Sequence, residues 1–132
     1  MRRIQSRNRK GTAVVEAALA LPLIFLVILG TVEICNSIFM KQSLSLMAFE
    51  GARVAIIPSA SLTDVEQQIQ EMAAARNIAL ASISVSPSDF QLQPSGAVIE
   101  VEVVSAAEQP GRTGLFTSGE ASVSVFIMKE QE

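Results

Sequence analysis

The feature that most constrains this chain is an apolar run that follows a basic N-terminus. Between Glu16 and Glu33 lie 16 residues without a charged side chain, and the uncharged residues 12–15 extend the segment. An α-helix rises about 1.5 Å per residue, so about 20 such residues cross a hydrocarbon layer of about 30 Å. The run therefore predicts a membrane-spanning helix, in which Pro22 and Gly30 are acceptable because both residue types are commoner in membrane helices than in soluble ones.

The distribution of charge around the run predicts its orientation. After the run come Glu33 and, later, Lys41, whereas the charged residues before it are all basic: Arg2, Arg3, Arg7, Arg9 and Lys10. Positive charge next to a membrane helix marks the cytoplasmic side. We therefore expect a single-pass protein of the cytoplasmic membrane with a cytoplasmic N-terminus and an extracytoplasmic chain beyond residue 34.

Glu16 needs an explanation, because a carboxylate in a spanning helix costs up to about 3 kcal/mol at the bilayer centre. Two interpretations remain open from the residues alone. Glu16 either marks the start of the helix, where a carboxylate interacts favourably with the helix dipole, or it meets a cation. A new N-terminal amine of a neighbouring chain, made by cleavage after Gly11, would be such a cation and would fix the register between subunits.

Several motifs in residues 9–57 occur together in one known family. Gly11 is followed by a carboxylate, Glu16, at the fifth position after it, as in the processing motif of type IV prepilins. The stretch GTAVVEAALALPLIFLVILGTVEI at residues 11–34 and the stretch AFEGARVAI at residues 48–56 complete the pattern. In these motifs the chain resembles the TadE-like pseudopilins of tight-adherence (Flp) pilus systems.

The resemblance implies a processing site, an assembly residue and a set of partners. A prepilin peptidase would remove the leader 1–11 by cutting between Gly11 and Thr12, where the glycine lacks a side chain and Thr12 would supply the new amine. Glu16 would pair with that amine across subunits. The partners would be other pilins or pseudopilins and the inner-membrane pilus assembly machinery, with homo- or hetero-oligomers formed through the N-terminal helix. A chain longer than the short major Flp pilins would be a minor subunit.

The predicted helix continues beyond the membrane as a stalk within residues 12–57. No proline occurs between Ile34 and Ile56, and Pro58 supplies the stop because the residue before proline avoids helical angles. We expect the stalk to cover the core of the distal domain with one apolar stripe: Ile34, Ile38, Phe39, Leu46, Phe49, Ala52 and Ile56. A second apolar set, Met40, Leu44, Met47 and Val54, would face neighbouring helices.

Residues 58–132 predict a small α+β domain. Thr63 and Glu66 form a capping-box pattern before a helix near 64–76 that Asn77 would end. The apolar period then changes to two in three segments, which predicts three strands at 83–85, 99–103 and 123–127, with Pro110-Gly111 in the connection before the last. Short connections favour an antiparallel sheet with one face against the helices, the general plan of a pilin-like fold.

The chain offers little for catalysis, and we expect neither an enzyme nor a cofactor. It contains no histidine and a single cysteine, Cys35, so neither a zinc site nor an intramolecular disulfide is expected. Glu100 and Glu102 share one strand face about 7 Å apart, yet we expect them on a solvated face, and no metal site is expected at these carboxylates or at Asp89.

Loss of the five basic residues before Gly11 would change the net charge from −3 to −8, which disfavours nucleic-acid binding.

One alternative of another class remains. The chain could be an uncleaved signal-anchored protein, or a secreted one cut after Ala20 in Ala18-Leu19-Ala20, whose C-terminal domain binds an extracytoplasmic partner unrelated to pili.

Overall fold

The structure is a computed structural model that describes residues 9–109 and 119–129. Two helices, α1 (Arg9–Ala55) and α2 (Leu62–Ala75), precede three strands, β1 (Leu80–Ser86), β2 (Val98–Ser105) and β3 (Ser122–Met128). A short 3₁₀ helix at Phe90–Leu92 lies between β1 and β2. The predicted α+β order, with a long N-terminal helix, a second helix and an antiparallel sheet, is confirmed. Most of the basic leader and the Pro110-Gly111 loop lie outside the described residues.

Helix α1 is continuous for 47 residues, which corresponds to about 70 Å. It includes Pro22 without interruption, and it ends at Ala55, three residues before Pro58, as the sequence predicts. Its N-terminal part, residues 11–32, contacts little else in the chain, whereas the part from Met40 to Ala55 packs against α2, β2 and β3. The helix therefore has an isolated half and a half that belongs to the folded domain.

The prediction of which stalk face covers the core is wrong. Met40, Leu44 and Met47 are buried in the domain core, together with the small residues Ala48, Ala52 and Ala55. Most of the stripe that the sequence analysis assigned to the core is exposed instead: Ile34, Ile38, Phe39, Leu46 and Phe49. Of that stripe, only Ala52 is buried and Ile56 partly so. Small residues permit the close approach of α2 and the sheet, so they decide which side of an apolar helix is covered.

Helix α2 begins two residues earlier than the sequence pattern predicts. Its capping box uses Ser61 and Asp64 rather than Thr63 and Glu66: the Asp64 backbone N–H donates to Ser61 Oγ at 3.2 Å, and the Ser61 backbone N–H donates to Asp64 Oδ2 at 2.7 Å. Asn77 follows the helix end with a positive φ of 54°, consistent with its predicted role there. Val65, Ile69 and Ala73 are the buried residues of α2.

The sheet has the order β1-β2-β3 with both pairings antiparallel. Val101 of the central strand is paired with Val85 on one side and Val125 on the other, so the inward faces of the three strands share one layer. Helix α1 packs across β2 and β3, while α2 lies against α1 and touches β1. Ile99, Val101 and Val103 are fully buried between the neighbouring strands and α1. The core is thus closed on one side of the sheet only, as predicted.

Candidate processing and assembly site

The residues of the predicted processing site lie at the beginning of α1. The described part of the helix begins at Arg9, so Gly11 is in its first described turn and Glu16 lies nearly two turns further along. The first turn contains no acidic residue. In the uncleaved chain Glu16 is therefore not placed where the helix dipole acts, since that effect is confined to the first turn. This position weakens the simpler of the two interpretations of Glu16.

Gly11 has no packing reason to be a glycine. A β-carbon built at this position would meet no atom of the described residues within 4 Å, and its backbone is helical. An alanine would be accommodated here and would favour the helix by about 1 kcal/mol. The packing of the described residues therefore does not explain the glycine at position 11.

Glu16 is exposed on an apolar helix surface. Within the part of the chain that the structure describes, its carboxylate forms neither a hydrogen bond nor an ion pair. Its neighbours Val15 and Leu19 are exposed as well. In a membrane this arrangement leaves one carboxylate on an otherwise apolar cylinder, where a cation from another chain would lower its desolvation cost.

The surface around this site has the character of a membrane anchor. Gly11–Ala55 is the one helix among the described residues that is long and apolar enough to cross a membrane, and none of its most apolar window is buried inside the protein. An apolar helix in the core of a soluble domain would be covered by its own chain. The exposed apolar surface therefore matches an anchor rather than a core helix.

The segment Glu50-Gly51-Ala52-Arg53 has a structural explanation at each position. Arg53 Nη1 lies 3.3 Å from Glu50 Oε2 and forms an i, i+3 ion pair on the helix surface. Gly51 faces Ile69 of α2, and a β-carbon on the glycine would lie 2.6 Å from Ile69 Cδ1. Ala52 is completely buried. This motif joins the stalk to the distal domain, and Gly51 marks the close approach of α1 and α2.

The other candidate residues do not form a reactive site. Glu100 and Glu102 lie on the outer face of β2, opposite Phe126 and Ser124 of β3, and Ser84 Oγ donates to Glu102 Oε2 at 3.4 Å. A shallow groove of about 240 Å³ between α2 and β1 is lined by Glu66, Gln70 and the first residues of β1. Among the described residues, no three acidic, histidine or cysteine side chains group closely enough to hold a metal ion.

Glu33 and Gln109 are two of the buried polar residues to which the sequence assigned no role. Glu33, at the outer end of the apolar run, is only 6% exposed. Gln109 bridges backbone groups, because its side chain accepts from the Ala79 N–H at 3.0 Å and donates to the Ala79 and Ala106 carbonyls at 2.7 and 2.8 Å. A single Gln in a loop-like stretch carries no local signal for such a bridge, since its partner lies 30 residues away.

Comparison with known families locates the resemblance on this same part of the chain. Residues 11–53 match the family of TadE-like proteins. The N-terminal segment of this protein is TadE-like. The match begins at Gly11 and ends within the segment that contacts α2, so it includes the anchor and the stalk but not the sheet. Comparison of the chain with curated proteins and with solved structures found no match.

The TadE-like segment gives the protein a general context. It associates the chain with a tight-adherence pilus system and with a membrane, and the isolated apolar half of α1 is consistent with a single-pass membrane protein. The α2 helix and the sheet, which follow the TadE-like segment, form a distal domain that is attached to its C-terminal end through Gly51 and Ala52.

Proposed function

We propose that this protein is a minor pilin or pseudopilin of a tight-adherence pilus, a structural subunit without a catalytic role. It is inserted with its N-terminus in the cytoplasm, cut between Gly11 and Thr12 by a prepilin peptidase, and packed through α1 against other pilins or pseudopilins of the assembly machinery. The observation that carries this proposal is the TadE-like match, which starts at the glycine itself.

The environment of Gly11 supports the proposed cleavage. A peptidase binds its substrate backbone in an extended form, so the first turn of α1 has to unwind around the Gly11–Thr12 bond. Glycine lowers the cost of that unwinding by about 1 kcal/mol relative to alanine. Because nothing in the fold occupies the space of a β-carbon at Gly11, access for a peptidase is a sufficient reason for the glycine.

The environment of Glu16 supports the proposed assembly role. Cleavage would create an α-amine at Thr12, a group that can carry a positive charge. Glu16 is one helical turn from Thr12, so a parallel neighbouring helix would bring the amine of one chain near the carboxylate of the next. The opposite charges would offset the burial of both groups in a low-dielectric environment.

The test is the intact mass and N-terminal sequence of the membrane-fraction protein, produced with and without its prepilin peptidase. We expect a start at Thr12 that depends on the peptidase and is lost in Gly11→Ala. Because the fold accommodates alanine at this position, loss of cleavage in that variant would report on recognition and not on misfolding. A start at Met1 or after Ala20 that is independent of the peptidase would overturn the proposal in favour of an anchored or secreted domain.

A further inference from the structure

Beyond the membrane segment, α1 exposes a second apolar surface that its own domain does not cover. We call it the stalk stripe: Ile34, Ile38, Phe39, Leu46 and Phe49, each between 41 and 62% exposed. At 100° per residue these side chains fall within one sector of about 140°. Met40, Leu44 and Met47 are on the opposite side and are buried against the domain. The helix is thus apolar on two faces, of which the domain covers one.

The hydrocarbon of the membrane cannot cover the stalk stripe. From Gly11 to Phe49 the helix extends about 57 Å, and a tilt of 40° would still leave about 44 Å along the membrane normal, against a hydrocarbon thickness of about 30 Å. The folded domain also packs on α1 from Met40 onward, and Lys41 lies beside the stripe. The outer part of the stripe, Leu46 and Phe49, therefore lies in the aqueous compartment even at that tilt, where exposed apolar surface marks a protein contact.

A second copy of this chain has the geometry to cover the stripe. Two copies with the same anchor are necessarily parallel, and their stripes lie at the same height above the membrane. The stripe sector contains no charged residue from Ile34 to Phe49, and the residues interspersed in it, Cys35, Gln42 and Ser45, are neutral. Two facing stripes would therefore not place like charges opposite each other. The first charged residue of the sector beyond Phe49 is Arg53, and its guanidinium is already paired with Glu50 at 3.3 Å.

We propose that the stalk stripe pairs with the stalk stripe of a second copy, in a parallel, in-register helix pair that forms above the membrane surface. The pairing relies on the membrane anchor of the proposed function but not on cleavage after Gly11 or on Glu16. Phe49 and Gln42 lie nearest the centre of the sector, with Cys35 beside them, and Phe39 lies at its edge. Packed helices usually have an interaxial distance of 8–10 Å, and at that distance Phe49 and Phe39 would supply much of the buried contact area.

The native cysteine provides the first measurement. Cys35 is the single cysteine of the chain, is exposed, and lies within the stripe sector. Oxidation of the full-length protein in membrane vesicles with copper phenanthroline should yield a disulfide-linked dimer, which requires Cα atoms within about 7 Å. The matched control is Cys35→Ser combined with Asn36→Cys, an exposed position at the same height but outside the sector. We expect its cross-linking rate to be lower by about tenfold or more, because the Cα separation exceeds that limit.

Substitutions in the stripe test whether the contact depends on its apolar side chains. Phe39→Gln and Phe49→Gln should each reduce cross-linking at Cys35 several-fold, whereas Phe126→Gln should not, since Phe126 is 65% exposed on the outer face of the sheet. Equal rates at positions 35 and 36, insensitivity to the stripe variants, or cross-links to other proteins without a dimer of this chain would each overturn the proposal. The experiment is repeated with Gly11→Ala in vesicles without peptidase, where pairing should persist, so a failure of processing is distinguishable from a failure of pairing.

Discussion

Gly51 of α1 lies directly against Ile69 of α2, so closely that a β-carbon on the glycine would be 2.6 Å from Ile69 Cδ1 and 2.9 Å from Ile69 Cγ1. The two helices approach each other at this point because neither Gly51 nor Ala52 carries a large side chain. The contact fixes α2 to the stalk and positions the sheet that follows.

Gly51→Val is expected to destabilise the distal domain by about 1–3 kcal/mol, because the added atoms overpack a site that cannot expand freely. Gly51→Ala should have a smaller effect, since alanine recovers about 1 kcal/mol of helix propensity. Hydrogen exchange of the β2 amides, measured by mass spectrometry in detergent, reports the free energy of unfolding in a chain without tryptophan or tyrosine.

A matched pair of variants tests that explanation. Ile69→Val removes the Cδ1 atom and should partly rescue Gly51→Ala, whereas Gly30→Ala should be nearly neutral because nothing lies within 4 Å of a β-carbon there. Equal protection of β2 in all of these variants would contradict the close-approach explanation.

Glu16→Ala should preserve insertion into the membrane and impair assembly. Removal of the carboxylate lowers the cost of placing the helix in the hydrocarbon, but it also removes the group that would pair with the Thr12 amine of a neighbour. Membrane fractionation measures the first effect, and recovery of the protein in sheared pili measures the second. Glu120→Ala, an exposed substitution before β3, is the control. Wild-type incorporation of the Glu16 variant would remove Glu16 from its proposed role.

The α2 capping box should make stability sensitive to acid. The pKa of Asp64 is lowered by the hydrogen bond from the Ser61 backbone N–H and, secondarily, by that from the Ser61 hydroxyl. A carboxyl group with a lower pKa in the folded state stabilises the fold above its unfolded pKa of about 3.9. This stabilisation is lost as the pH falls through the folded pKa. Asp64→Asn should therefore flatten the pH dependence of the thermal midpoint below about pH 4.

Ser61→Ala provides an independent test of the same cap. Loss of an N-cap hydroxyl costs about 1 kcal/mol in typical helices, so the thermal midpoint measured by circular dichroism at neutral pH should fall. Thr63→Ala is the matched control, because the sequence pattern suggested Thr63 as the cap and the structure does not use it. A larger effect of Thr63→Ala than of Ser61→Ala would contradict the observed helix start.

Gln109→Ala should destabilise the sheet by about 1–3 kcal/mol, the cost of leaving buried polar groups without partners. The groups affected are the Ala79 N–H and carbonyl and the Ala106 carbonyl. Gln109→Glu should be at least as harmful, since a carboxylate cannot donate to the two carbonyl oxygens. Chemical denaturation in detergent measures the loss, with exposed Gln70→Ala as the control. An unchanged midpoint would show that solvent replaces the bridge.

The sequence by itself determined the class of the fold and the segment that carries the family resemblance. The charge-free run between Glu16 and Glu33 is long enough to specify a spanning helix, and Pro58 marks the end of the stalk at Ala55 within three residues. The alternation of apolar residues specified three strands, and their predicted antiparallel pairing is confirmed although the connections, 87–97 and 106–121, are longer than hairpin turns. These features are local, because propensity, period and turn residues act over a few positions.

Only the tertiary structure decided which face of the stalk is buried. Apolar residues surround the stalk, so periodicity could not distinguish the face of Met40 and Leu44 from the face of Phe39 and Phe49. The buried face is the one that α2 and the sheet can approach most closely. The contact between Gly51 and Ile69 shows where that approach occurs. The hydrogen bonds between Gln109 and Ala79 likewise form only after folding brings together two residues that are 30 positions apart in the sequence. Contacts over such a sequence separation depend on tertiary packing and not on a local sequence pattern.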